Sequence, residues 1–216
     1  MEHIEEMSAF FTKRIDEYEA HMLGQVEGIR GAYALVPTLL PEGMEALLDL
    51  GCGTGLELDG VFARFPDVRV TGIDLAQAML DRLAQKFSGK DLTLVCGDYL
   101  SVDLGAKRFD AALSFQTLHH FTHAEKLPLY RRIRASLRPG GVYVEADYTV
   151  QTQAEEDMHF RDREALLAKA GNPPGFFHYD TPLTSANGAR LLRQAGFADV
   201  RIAWEIPNMT VTVSTK

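Results

Sequence analysis

Apolar residues along this chain keep two different rhythms. Over 4–23 they recur every three or four positions, with Met7, Phe10, Phe11, Ile15, Tyr18 and Met22 on one face, which predicts an amphipathic helix. A second helical stretch covers 26–40 and stops at Pro41-Glu42-Gly43. Short apolar runs then alternate with helical patterns. Strands are expected at 46–50, 68–73, 92–96, 109–115 and 142–146. Helices are expected at 56–65, 76–87 and 124–137, the last closed by Arg138-Pro139-Gly140-Gly141. Apolar strands separated by helices predict βαβ units and a parallel sheet covered on both faces.

Residues 149–182 interrupt this alternation with charged, helix-like sequence and then a polar, aromatic and proline-rich stretch. A helix over 185–195 and strands at 200–206 and 209–214 follow. Pro207-Asn208 between those strands is short enough for a hairpin, so the last strand is expected to run antiparallel. The expected organisation is one domain over 1–216. It divides into a helical cap at 1–43, an α/β core at 44–148, a lid-like insert at 149–182, and a last helix with hairpin strands at 183–216.

The first expected strand runs into the most specific motif, Asp49-Leu50-Gly51-Cys52-Gly53-Thr54-Gly55. Glycine reaches positive φ and lets a ligand approach where a Cβ would collide. A strand that turns into a helix through such a loop offers backbone N–H groups beside the helix's positive end. The spacing is GxGxG, without the GxGxxG of a dinucleotide site or the lysine of a phosphate loop. With Asp49 just before the glycines, it suits a ligand with an amino-acid end: the acid for an ammonium, the N–H groups for a carboxylate. In an open α/β sheet, ligands sit beyond the carboxyl ends of the strands. The second strand ends there in Asp74, suited to the two hydroxyls of a ribose and unsuited to a 2′-phosphate. The third ends in Gly97-Asp98-Tyr99, whose carboxylate suits an exocyclic amine. The fourth ends in Gln116-Thr117-Leu118-His119-His120, facing the reacting end.

Composition narrows the partners. The 216 residues carry a formal charge of -8, which disfavours a nucleic-acid partner. Cys52 and Cys96 give neither a disulfide framework nor metal spacing. Free cysteines and the lack of a secretory segment lead to an expectation of a cytoplasmic protein, and no apolar run reaches membrane-spanning length. A homodimer is left open.

Together the glycine loop, Thr71-Gly72-Ile73-Asp74, Cys96-Gly97-Asp98 and Leu137-Arg138-Pro139-Gly140-Gly141 resemble, in order and spacing, the motifs of the class I S-adenosylmethionine-dependent methyltransferases. The resemblance is good over about residues 44–148. It implies a Rossmann-like, seven-stranded, mostly parallel sheet whose last strand is antiparallel, with an N-terminal helical cap and an insert after the fifth strand. It implies S-adenosyl-L-methionine as cofactor and S-adenosyl-L-homocysteine as product. By the family's pattern Asp49, Gly51, Cys52, Gly53, Thr54 and Gly55 hold the methionine end and Asp74 the ribose. Gly97, Asp98 and Tyr99 flank the adenine, with Leu75 and Met79 packing near it.

The acceptor is expected to be a small molecule, covered by the N-terminal helices and the insert. His119, His120, Tyr148 and His178 are candidates to orient or deprotonate it, and Tyr179 and Asp180 to contact it. The plain alternative for each is a surface or helix-start side chain. His119, His120 and His123 lack a nearby carboxylate or cysteine in sequence, so no metal is expected. Phe10, Phe11 and Phe62 read as core.

Two other functions share the cofactor. The run from Leu183-Thr184 through Ala195-Gly196-Phe197 is similar to the carboxy-S-adenosylmethionine synthases of tRNA wobble-uridine modification, although their carboxylate-binding arginine has no clear match among Arg161, Arg163 and Arg190. A non-catalytic S-adenosylmethionine-binding protein is the other, opposed by the complete loop and acids.

Overall fold

The structure is a computed structural model that describes residues 4–216, so the first three residues of the expected cap lie outside it. Three helices come first: α1 (Met7–Lys13), α2 (Ile15–Gln25) and α3 (Ile29–Leu39). Strands and helices then alternate as β1 (Ala46–Leu50), α4 (Leu56–Arg64), β2 (Arg69–Asp74), α5 (Gln77–Lys86), β3 (Leu92–Cys96), β4 (Phe109–Phe115), α6 (His123–Ser136) and β5 (Leu137–Val150). The chain closes with α7 (Gln153–Lys169), β6 (Leu183–Thr184), α8 (Ser185–Gln194), β7 (Asp199–Ile206) and β8 (Met209–Thr215).

The strands form one sheet in the order β3-β2-β1-β4-β5-β8-β7, with the two-residue β6 beside β5 as a strand the sequence pattern does not predict. Strands β1 to β5 pair in parallel, and β8 runs antiparallel to both β5 and β7. β1 is central and buried at every position. Leu47 packs with Val36, Leu58 and Val61 on one face, while Leu48 and Leu50 pack with Tyr130 and Ile133 on the other. Each such leucine contributes roughly 1.5–3 kcal/mol by leaving water, so the strand's register is firmly set.

Two departures from the expected elements concern the site. The N-terminal helix is not continuous but breaks at Arg14, whose φ is -104 and ψ 7. Tertiary contacts pull its halves apart. Met7 N–H donates to the Phe176 carbonyl and His178 N–H to that of Glu5, both at 2.9 Å, while Arg82 of α5 donates to the Ile15 carbonyl and Asp16. Second, the expected turn at Arg138-Pro139-Gly140-Gly141 lies inside a longer β5. Leu137 pairs with Phe109 and Val142 with Ala111, so those four residues bulge opposite Asp110. At its other end β5 runs past residue 146, because β8 pairs with it as far as Tyr148 and β6 pairs with Thr149 and Val150. That extension carries Asp147 and Tyr148 to the carboxyl edge of the sheet.

Candidate active site

The glycine loop takes the backbone path its sequence implies. Gly51, Gly53 and Gly55 have φ of 68, 47 and 75. A Cβ on Gly51 would lie 2.2 Å from Thr117 Oγ1, so the loop presses against the chain leaving β4. Asp74 ties this loop to the next turn: its Oδ2 accepts from Gly53 N–H at 2.9 Å and its Oδ1 from Ala76 N–H at 2.8 Å. Burial raises its pKa, and those N–H groups only partly offset this.

A cavity opens beside the loop. Gly51, Gly53, Asp74, Leu75, Met79, Tyr99 and Gln116 line it, and Met7, Phe11 and Tyr18 of the N-terminal helices also border it. Tyr99 is fixed by its hydroxyl, 2.9 Å from Thr117 Oγ1. Gln116 has a φ of 51, unusual for a residue with a Cβ, and its buried Nε2 has no partner among the described residues. A buried amide donor without a partner on a cavity wall points to a ligand.

The other loop residues lie outside this lining. Asp49 is buried beneath the loop beside Glu57 of α4, a partner the sequence reading missed. Burial pushes Asp49 up to about 7 and raises Glu57 as well, and the neighbouring Asp49 charge adds to the shift of Glu57. Cys52 and Thr54 are buried, and the Cys52 sulfur packs against Gly72; burial pushes its thiol up, which suits a space-filling part. Gly55 is the left-handed residue before α4. Asp98, after Gly97, accepts from Leu100 N–H at 2.8 Å.

A larger, outer cavity shares Phe11, Tyr18, Gln116 and His120 with the first. His119, Tyr148, His178 and Asp180 line it as well. Phe10 and Phe11 face it rather than the core, because the break at Arg14 turns α1 over the site; Phe10 stacks on His178 at 3.6 Å. Phe62 is core as expected.

His119 and His120 occupy a buried 3-10 turn at Leu118–His120. Nδ1 of His119 lies 2.6 Å from Asp147 Oδ1, and its Nε2 lies 3.7 Å from Asp180 Oδ1. Burial disfavours the charged ring, but Asp147 and then Asp180 outweigh it and raise the His119 pKa. His120 goes the other way, held down to about 4 by burial and by the neighbouring His119. Tyr148 meets His119 edge-on at 5.8 Å. His123 stands apart, paired with Glu156 at 2.9 Å. Asp147 was missed in the sequence, and Asp180 was noted there only as an acceptor contact.

Comparison with known proteins agrees with this geometry. The family described as a methyltransferase domain matches residues 47–141. The biotin biosynthesis bifunctional protein of Teredinibacter turnerae is 32% identical over 106 residues, covering 45% of this chain and 18% of its own. The malonyl-[acyl-carrier protein] O-methyltransferase of Acetivibrio thermocellus is 29% identical over 132 residues, covering 60% of this chain and 45% of its own. The chain thus spans less than half the length of either relative. Human N-acetylserotonin methyltransferase, solved in complex with S-adenosylmethionine, shares the fold with a TM-score of 0.67 at 17% identity, over 98% of this chain and 59% of its own. Residues 47–141 are thus similar to a methyltransferase domain, and the fold of the chain is shared with a solved methyltransferase.

Proposed function

We propose that this chain transfers a methyl group from S-adenosylmethionine to a hydroxyl or similar group of a small-molecule acceptor. One observation carries the reading: the cavity at the glycine loop adjoins a second cavity across Gln116 and His120, with His119 on the far side. Gly51 and Gly53 supply the backbone face for the donor's amino-acid end, and Asp74 has oxygen lone pairs left for ribose hydroxyls. Leu75 and Met79 form an apolar slot for a purine, closed by Tyr99. Asp49 and Glu57 act from beneath the loop, as a buried negative charge that favours an ammonium above. The bound donor would supply a methyl group already activated on a sulfonium, so no covalent enzyme intermediate is needed. Gln116 Nε2 has no partner among the described residues and is placed to orient a polar atom where the cavities meet.

His119 is the acceptor's proton acceptor in this reading. Asp147 takes Nδ1–H and leaves the Nε2 lone pair toward the outer cavity. With the donor bound, Nε2 would take the hydroxyl proton as the acceptor oxygen receives the methyl group. Tyr148 and His178 wall the acceptor. The relatives' names cover a malonyl-[acyl-carrier protein] and N-acetylserotonin, two unlike acceptors. The acid charge of -8 favours a small acceptor over nucleic acid.

The test is calorimetry with S-adenosylhomocysteine. The wild-type chain is expected to bind it, and Asp74→Ala to weaken binding by more than about tenfold, since hydrogen bonds to a charged group contribute about 1.5–3 kcal/mol. Equal affinity in the variant would overturn the donor assignment. Release of S-adenosylhomocysteine with a panel of hydroxylated acceptors then tests turnover.

A further inference from the structure

We propose that His119, His120 and Asp180 form a binding site for one divalent transition-metal ion, of the zinc, cobalt or nickel type, on the wall of the outer cavity. This goes beyond the methyl-transfer reading and does not depend on it.

One ring nitrogen from each histidine and a carboxylate oxygen of Asp180 lie within 4.8 Å of one another. Metal–ligand bonds of roughly 2.0–2.2 Å place neighbouring ligand atoms about 3–3.5 Å apart. Of the separations here, 3.1 Å from His120 Nδ1 to Asp180 Oδ1 falls in that range, and 3.7 Å from His119 Nε2 to the same oxygen lies just above it. Proximity is not matched by hydrogen bonding. Asp180 Oδ1 is buried and receives no aligned hydrogen bond among the described residues. The aligned acceptor of His120 Nδ1 is instead the Tyr179 carbonyl, at a long 3.3 Å. A buried carboxylate oxygen flanked by two imidazoles, with no donor aimed at it, is a negative centre that a cation fits.

The surroundings also suit a metal. Histidine ligands are commonly oriented by a carboxylate on their other nitrogen, and Asp147 holds His119 Nδ1 at 2.6 Å in that way. The three ligands sit on two stretches of backbone stapled together, since Thr181 donates both its N–H (2.6 Å) and its hydroxyl (3.2 Å) to the His119 carbonyl. Two imidazoles and one carboxylate favour a borderline ion over magnesium or calcium, which take oxygen. Three protein ligands leave coordination positions for water or an acceptor oxygen. With an ion in place, a coordinated hydroxyl is acidified directly and its proton leaves through the open cavity to solvent. That replaces the task His119 Nε2 performs when no ion is bound.

The experiment is calorimetric titration of the chelator-treated full chain with zinc chloride, without donor or acceptor. One equivalent is expected to bind. Asp180→Asn should weaken it at least about tenfold, and Asp147→Asn by about 10–100-fold through loss of the orienting bond. His123→Gln, outside the cluster, should bind as wild type does. Cobalt substitution adds a spectroscopic readout, with visible bands that Asp180→Asn abolishes, and thermal melts confirm that each variant is folded. No saturable zinc binding, or the same affinity in folded Asp180→Asn, overturns the proposal. S-adenosylhomocysteine plays no part in the titration, so failure here and failure of the donor assignment are separate results.

Discussion

His119 stands between a buried carboxylate and a partly exposed one, and the first of these sets its chemistry. Asp147 outweighs the cost of burial and keeps the His119 pKa above its ordinary 6.5. A base works when deprotonated, so kcat/KM measured with chelator present should climb as pH rises through a value above 6.5 and then level. Asp147→Asn removes the charge that holds the pKa up and leaves burial, which lowers it. The rising limb should therefore move to lower pH while the plateau falls, and His119→Gln should lose about 10²–10⁴-fold. A limb unmoved in Asp147→Asn would rule out His119 as the base. The histidines were legible in the sequence because they follow directly on an apolar strand. Asp147 was not, because only the pairing of Ser114 with Glu145 and Phe115 with Ala146 brings the end of β5 beside that of β4. Glu57 was hidden for a similar reason: on a helix-start pattern it reads as an exposed first-turn acid, yet α4 folds it under the loop against Asp49.

Among the elements, buried strands were the most legible and the break in the N-terminal helix the least. β1 and β4 fall where their apolar runs place them, because a strand between two others presents little else, and the edge strand β3 does so too. The amphipathic pattern through Arg14 gives no stop signal; partners far along the chain impose the break. Helix α7 shows how an element can rest on one side chain. Its surface is charged and Glu156 is its buried residue, accepting from Thr184 N–H at 2.6 Å and Asn187 Nδ2 at 2.9 Å, with His123 Nε2 at 2.9 Å. Thr184 is also the N-cap of α8, so this carboxylate joins α7, α8 and the start of α6. Burial alone would raise its pKa, but these partners hold it down at about 2. Glu156→Ala should cost roughly 2 kcal/mol, seen as a melting temperature about 4–8 °C lower at neutral pH. A folded pKa below the unfolded one gives stability that is complete above about 4.5 and is lost as pH falls toward about 2. The gap between wild type and variant should close over that window, and a gap constant with pH would place the effect elsewhere.

At the scale of the molecule, the parallel βαβ units and the glycine loop followed from hydrophobic rhythm and spacing, because both are local in sequence, whereas the order of the strands did not. The acceptor side was less legible. It is assembled from α1, the turn after β4, the end of β5 and the loop at residues 176–180, which meet only in the folded chain. The two cavities meet at a shared wall of Phe11, Tyr18, Gln116 and His120. The inner one is bordered by buried Met7, Met79 and Tyr99, while the outer one reaches exposed Arg14 and Glu17. That nesting carries a kinetic meaning. A donor that enters through the outer space must arrive before the acceptor fills it, and the spent donor must leave after the methylated product. Turnover should follow a compulsory order, with S-adenosylhomocysteine competitive against the donor and noncompetitive against the acceptor. An unreactive acceptor analogue should then be uncompetitive against the donor, and noncompetitive inhibition there would mean that each cavity has its own door.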